Sequence, residues 1–269
     1  MFTVLETNLL PSRRGRSGHR VTVRDTPRYI SVALDLPLRA RDKAVRVQAG
    51  RGLLKAFKMG SAEVVLPKGF PFPELPGRYG FAVCGPAPLL RGLAPELCCY
   101  AVEESGVPWK NVRVSLAGRR STQELLNAAQ RLSALVRSLH IEAGGDTGAV
   151  CYLLRRRCGI SVVGRPARPE AGILDIRILF ERPAARPPAL PPPDGTLVLD
   201  LTGGVCAETG GRVADGALLE PPRRLWKNRP AGCDDGALLA ALWAEGQITL
   251  KDVGIRGLTR GGETFQFFP

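Results

Sequence analysis

Histidine is almost missing from this chain of 269 residues, which carries only His19 and His140. With two imidazoles there is no H-x-x-x-H or H-E-x-x-H spacing to hold a metal, and acid–base chemistry at neutral pH has little to draw on. Aromatic residues make up 6%, so aliphatic side chains must fill the core. The seven cysteines, Cys84, Cys98, Cys99, Cys151, Cys158, Cys206 and Cys233, contain no C-x-x-C pair. An odd set without that spacing fits neither a zinc ribbon nor a regular disulfide framework, and a reducing cytoplasm is the expected compartment. No run approaches 18 uncharged apolar residues, so no membrane span is expected. The opening ten residues hold Glu6 and lead into Arg13, Arg14 and Arg16 without a signal-peptide core. The G-x-S-x-G nucleophile elbow and the phosphate-binding lysine of a P-loop are also absent.

What remains is an ordinary globular composition, 44% apolar and 23% charged, long enough for one large domain or two modest ones. Its bias is positive: 38 basic residues against 25 acidic give +13, and 31 of the 38 are arginine. Residues 1–60 hold 13 Lys or Arg and 4 Asp or Glu, so most of the surplus lies in the first quarter. A solvated basic face explains this without function. A field of that sign also attracts phosphates, an anionic membrane or nucleic acid, and nucleic-acid binding through this N-terminal basic region is one expected function.

Periodicity divides the chain. Residues 11–20 are rich in Arg, Ser and Gly and read as a mobile arm. Strand-like runs are expected at 29–36, 63–66 and 81–84, a helical pattern over 40–60, and a helix over 89–105 ended by Gly106. From Pro108 onward, short β-rich runs at 112–117, 139–143, 160–164, 174–180 and 196–201 alternate with helical stretches, the order of successive βα units in a parallel sheet. Leu125, Leu126, Ala129, Leu132, Leu135 and Val136 share one side of a helix expected over 121–138, with Ser121 and Glu124 at capping-box spacing. A second helix is expected over 149–157, where Arg155, Arg156 and Arg157 suit the macrodipole as well as a phosphate. The proline-rich stretch 183–193 favours extended polyproline II and reads as a stiff connection. Residues 203–211 read as a loop, and a last helix over 235–245, capped by Asp234 or Asp235, stops at Gly246. The expected fold is α/β: a doubly wound, Rossmann-like parallel sheet over 106–269 after a smaller N-terminal α/β domain over 1–105.

The run Ile173-Leu174-Asp175-Ile176-Arg177-Ile178, the strand Leu197-Val198-Leu199-Asp200-Leu201 and the returning helix together resemble the NAD(P)-binding domain of shikimate dehydrogenase and glutamyl-tRNA reductase. The likeness covers about residues 110–245 and implies a Rossmann fold. It implies no catalytic residue, because the lysine–aspartate pair of the shikimate enzymes has no matching motif here.

A dinucleotide-binding turn after the first strand needs glycines that let a pyrophosphate reach the helix N-terminus. Here the turn reads Gly118-Arg119-Arg120-Ser121-Thr122-Gln123 and keeps one glycine of G-x-G-x-x-G. Arg119 and Arg120 crowd the inherited pyrophosphate path, yet can clasp a phosphate through bidentate hydrogen bonds, aided by the hydroxyls of Ser121 and Thr122. A plain helix N-cap beside two solvated arginines explains the same residues. Glu142, 24 residues after Gly118, stands where NAD-binding relatives hold the ribose, and Gly144, Gly145 and Asp146 after it read as a turn. A second candidate turn, Cys84-Gly85-Pro86-Ala87-Pro88, with Arg119 and Arg120 as an NADP phosphate clamp, lacks two backbone donors at its prolines. Cys98 and Cys99 read as core packing. The leading expectation is therefore an anionic ligand or partner bound in the crevice between the two parts. An NAD- or NADP-dependent oxidoreductase with an atypical cofactor loop is the alternative. Catalytic residues stay unassigned and no metal site is expected.

Overall fold

A computed structural model describes residues 1–10, 17–37, 40–136, 138–143, 151–152, 154–156, 172–181, 195–203, 212–226, 229–230, 232–264 and 266. The expected strand at 160–164, the proline-rich stretch 183–193, Arg157, Gly144 to Asp146 and most of the 203–211 loop lie outside them. The chain divides into two compact units, residues 1–89 with 221–254, and residues 90–220 with 255–269. This differs from a cut at 105/106 in two places. The helix before Gly106 belongs to the second unit, and the returning helix belongs to the first.

The first unit is built on a five-stranded sheet in the order β2-β3-β1-β4-β5. Its strands are β1 (Thr3–Leu10), β2 (Gly18–Asp25), β3 (Arg28–Pro37), β4 (Glu63–Val65) and β5 (Ala82–Val83). β2 and β3 form an antiparallel hairpin, whereas β1 pairs in parallel with β3 and β4. β1 was hidden by the absence of turn signals before it. Gly18 and Arg20, expected in a mobile arm, are instead ladder residues of β2, where Arg20 Nε donates to Asp35 Oδ2 at 3.1 Å.

Helix α1 (Asp42–Lys58) packs Val45, Ala49, Leu53 and Ala56 on Leu5, Ile30, Val32 and Leu34, the centre of the first core. Two glycines on its buried side explain how close it lies. A Cβ at Gly52 would fall inside the van der Waals shell of Val32 Cγ1, and one at Gly50 inside that of Tyr79.

The segment 221–254 closes this unit. Lys68 N donates to Gly232 O, Gln247 exchanges hydrogen bonds with the backbone of Arg28, and the Met1 ammonium pairs with Glu245 at 2.6 Å. The closing helix, Asp235–Ala244, buries Ala237 through Leu242 without a break, as expected for a helix apolar on every side. Asp234 is its N-cap, accepting from Ala237 N at 2.9 Å, and Gly246 takes φ +68° just past its end.

The second unit has a parallel sheet in the order β10-β9-β8-β6-β7, made of β6 (Val112–Gly118), β7 (Ser138–Ala143), β8 (Leu174–Leu179), β9 (Leu197–Asp200) and β10 (Arg212–Ala214). In chain order this is 2-1-3-4-5, the order of doubly wound nucleotide-binding sheets. The α/β, Rossmann-like reading therefore holds, with β10 as a described strand that the sequence did not announce.

Val112, Val114, Leu116, Leu139, Ile141, Ile176 and Ile178 form a buried apolar face. Of the helices of this unit, α2 (Ala94–Ser105) contacts β8 and α3 (Gln123–Leu132) contacts β6. The two helices are joined by the Arg131–Glu96 ion pair at 2.6 Å. The helix expected over 89–105 is broken after a short turn at Ala87–Gly92 and restarts at Ala94. Pro95 forces the break, since proline is tolerated in a first turn but not in a helix interior. A third sheet orders β11 (Gly216–Glu220), β12 (Gly254–Arg260) and β13 (Glu263–Thr264), tied by the Arg256–Glu220 ion pair.

Candidate functional site

Strand order reverses at β6, because β7 pairs on one side of it and β8 on the other. β6 is followed in sequence by β7 on one side of it, and β8 by β9 on the other, and ligands of open α/β sheets sit at such a point. Two groups of residues meet the description of a site in this part of the fold. One is the turn after β6, and the other is a row of charged side chains across β7, β6 and β8.

At the turn, Gly118 is the last residue of β6. A Cβ there would meet Arg120 O at 3.2 Å and Leu125 Cδ1 at 3.4 Å, so glycine suits the tight return of the chain rather than a left-handed φ. Arg119 and Arg120 are exposed, and Ser121 and Thr122 are half-buried. The expected Ser121–Glu124 capping box is not formed. Thr122 is the N-cap, with extended φ −73° and ψ 161°, and its hydroxyl accepts from Leu125 N at 3.3 Å. The helix thus starts one residue later than the spacing suggests, which puts Glu124 at the second helical position, where it cannot reach back. It also ends at Leu132, short of the expected 138, and Leu135 is left 44% exposed.

The turn already holds an anionic group. Arg119 N donates at 3.1 Å to Oε2 of Glu181, two residues beyond the end of β8, while Phe180 N donates to Ala117 O. A carboxylate of the chain therefore accepts the first backbone donor that an incoming phosphate would meet. The amides of the first helical turn have no intrahelical acceptor, and the helix N-terminus favours negative charge.

The second group follows from register. Arg113 faces Ser138 and Asp175; Ser115 faces His140 and Arg177; Ala117 faces Glu142 and Leu179. Residues two apart share a face, so charge gathers on the side opposite the apolar one. Arg113 Nε and Nη2 donate to Asp175 Oδ1 and Oδ2 at 2.7 and 2.8 Å, a bidentate pair. Arg177, only 8% exposed, reaches across β6 to donate to Glu142 Oε2 at 2.9 Å. The small side chains of Ser115 and Ala117 leave room for that crossing. His140 Nε2 lies 3.4 Å from Glu142 Oε1. The histidine hydrogen bond and the Arg177 guanidinium hold the Glu142 carboxyl below its ordinary range, against the effect of burial.

Glu142 thus sits at the end of β7 as expected, but both its oxygens are engaged inside the sheet. The ribose-holding role would have to be shared with an ion-pair network. Arg113, Asp175 and Arg177 were missed as a set. The signal was present: central parallel strands are buried on both faces and read as continuous apolar runs, whereas β6, β7 and β8 interrupt theirs at alternate positions with Arg113, His140, Glu142, Asp175 and Arg177.

The other candidates fall elsewhere. Cys84 lies between β5 and the short helix, in the first unit, and Arg119 and Arg120 lie in the second. Cys84 Sγ sits 3.7 Å from Glu63 Oε2, and burial, reinforced by Glu63, pushes its thiol up to about 12. A Cβ at Gly236 would lie 3.0 Å from Pro86 Cβ, so the closing helix packs closely beside this turn. Cys98 is fully buried, in keeping with core packing. Arg155 and Arg156 are exposed on helical residues. Among the described residues no group of three or more His, Cys, Asp or Glu is placed to hold a metal, and no helix is long and apolar enough to cross a membrane.

No family model and no curated protein matches the chain. Among solved structures, L-tryptophan dehydrogenase from Nostoc punctiforme aligns at 14% identity with a TM-score of 0.28, over 66% of this chain. The aligned part spans 56% of that chain.

Proposed function

We propose that the second unit binds a phosphate-bearing small molecule at the carboxyl end of its parallel sheet, without a dehydrogenase-type glycine loop. In this reading the unit is a derived relative of the NAD(P)-binding domains of shikimate dehydrogenase and glutamyl-tRNA reductase. The reversal of strand order at β6 carries the reading, because it sets Gly118–Thr122 beside Glu181 at the point where such sheets receive ligands. Arg119 and Arg120 supply charge, Ser121 and the amides of the first turn of α3 supply donors, and Gly118 keeps the corner thin. Glu142 contributes by fixing Arg177 beneath the turn and remains the candidate for a ribose hydroxyl.

Glu181 competes with the ligand in this arrangement. A phosphate must displace its carboxylate from Arg119 N, so the ligand exchanges one anion for another. Calorimetric titration with NADP, with adenosine 2′,5′-bisphosphate and with inorganic pyrophosphate tests the proposal. Binding should weaken about 10-fold or more when Arg119 and Arg120 are both replaced by alanine, the loss of a charge-assisted contact of about 1.5–3 kcal/mol. Glu181→Gln should strengthen it. Absence of binding at millimolar ligand, or an affinity indifferent to all three substitutions, would sink the proposal.

A further inference from the structure

The outward side of α1 carries a pattern that neither the first core nor the proposed ligand site uses. Lys43, Val47, Arg51, Leu54 and Lys58 follow one another at intervals of three or four residues, the spacing of one helical ridge, and Lys55 stands beside it. All six are exposed, Val47 by 41% and Leu54 by 45%. Among the described residues none of the four cations pairs with a carboxylate. Arg46, by contrast, lies off the ridge with its guanidinium 4.2 Å over the Phe72 ring. The ridge rises about 22 Å from Lys43 to Lys58. Cation and aliphatic side chain alternate along it, and Asp42, in the first turn, is the one acidic residue of the helix.

We propose that this ridge is a docking surface for an anionic lipid bilayer, on which the helix lies parallel to the membrane plane. Charge complementarity supplies the attraction, since juxtamembrane cations are drawn to anionic headgroups within a Debye length. The aliphatic residues decide between partners. A nucleic acid would take up the four cations through its phosphates but would leave Val47 and Leu54 facing a charged backbone. A bilayer interface accepts both kinds of side chain at once, aliphatic groups at the acyl boundary and the long cationic stems reaching up to phosphates.

The test uses the full chain and vesicles of phosphatidylcholine with 30% phosphatidylglycerol, read by flotation at low and high salt. Binding is expected to the anionic vesicles, with at least a 10-fold loss on vesicles of phosphatidylcholine alone or at 0.5 M salt. The triple substitution Arg51→Glu, Lys55→Glu, Lys58→Glu should abolish it. The pair Val47→Gln and Leu54→Gln, which leaves the charge unchanged, should weaken it about 5-fold or more. All five positions are exposed, and circular dichroism of each variant checks that the fold is kept. Failure to float with anionic vesicles overturns the proposal. So does tighter binding to duplex or single-stranded DNA that the glutamine pair leaves unchanged, which would assign the ridge to nucleic acid.

Discussion

Gly52 sits in the middle of a 17-residue helix, where glycine is a poor choice by propensity. On an exposed helix, alanine there would stabilise by about 1 kcal/mol. Against Val32 the added methyl has no room, and overpacking costs about 1–3 kcal/mol. The Gly52→Ala variant should therefore lose about 1–2 kcal/mol in urea unfolding. Gly50→Ala should lose less, because the obstacle is the ring of half-buried Tyr79 rather than a β-branched side chain held in a strand. A gain in stability for Gly52→Ala would mean that α1 does not lie so close to the sheet.

Glu142 is a second residue whose surroundings set its worth. Replacing it with glutamine removes the carboxylate facing Arg177, a buried cation, and should destabilise the second unit by about 1–3 kcal/mol at pH 7. The folded carboxyl titrates below its ordinary value of 4.5. Its contribution is thus complete above that pH and is lost as pH falls through the lower folded value. The gap between wild type and Glu142→Gln, measured by chemical unfolding at several pH values, should narrow as pH falls below 4.5, where the carboxylate is lost. A gap that widens in acid would exclude this ion pair as its source.

Among the elements, helix α3 begins one residue later than its sequence spacing implies. Ser121-x-x-Glu124 has capping-box spacing, yet the hydroxyl that accepts a backbone donor belongs to Thr122. Thr122→Ala should cost about 1 kcal/mol of stability, whereas Ser121→Ala should be close to neutral. Thermal unfolding of the two variants distinguishes them, and a larger loss at Ser121 would restore the earlier boundary.

The same helix shows why boundaries are harder to read than elements. Leu125, Ala129 and Leu132 announce the buried stripe. Leu135 and Val136 continue its period by coincidence, in a chain that must leave the helix to enter β7 at Ser138. The strands β6, β8 and β9 were legible because their apolar runs are bounded by charged or glycine residues. β1 and β10 were not, since β1 starts without a turn signal and β10 is three residues beside a glycine-rich stretch. Of the residues proposed to form the site, Gly118 to Thr122 and Glu142 were read from their place after strands. Arg177 and Glu181 were not, because a partner from β8 is visible only once β8 is known to lie beside β6.

For the molecule as a whole, the first unit is discontinuous in sequence. Residues 1–105 alone would lack the closing segment 221–254, which supplies the partners of Met1, Arg28 and Lys68. A fragment of residues 1–105 should bind the dye ANS and unfold without a cooperative transition, as loosely packed states do. Residues 1–89 joined by a short Gly-Ser linker to residues 221–254 should show a sigmoidal melt. Equal behaviour of the two fragments would show that the closing segment adds nothing to the first core.

Because residues 221–254 complete one unit and residues 255–269 the other, neither can mature while a ribosome is still adding the middle of the polypeptide. The nascent chain must carry an unfinished unit, with Met1, Arg28 and Lys68 awaiting their partners, through well over a hundred further additions at a rate of about 5–20 residues per second. That interval of many seconds makes newly made copies, rather than finished ones, the natural clients of a holdase chaperone.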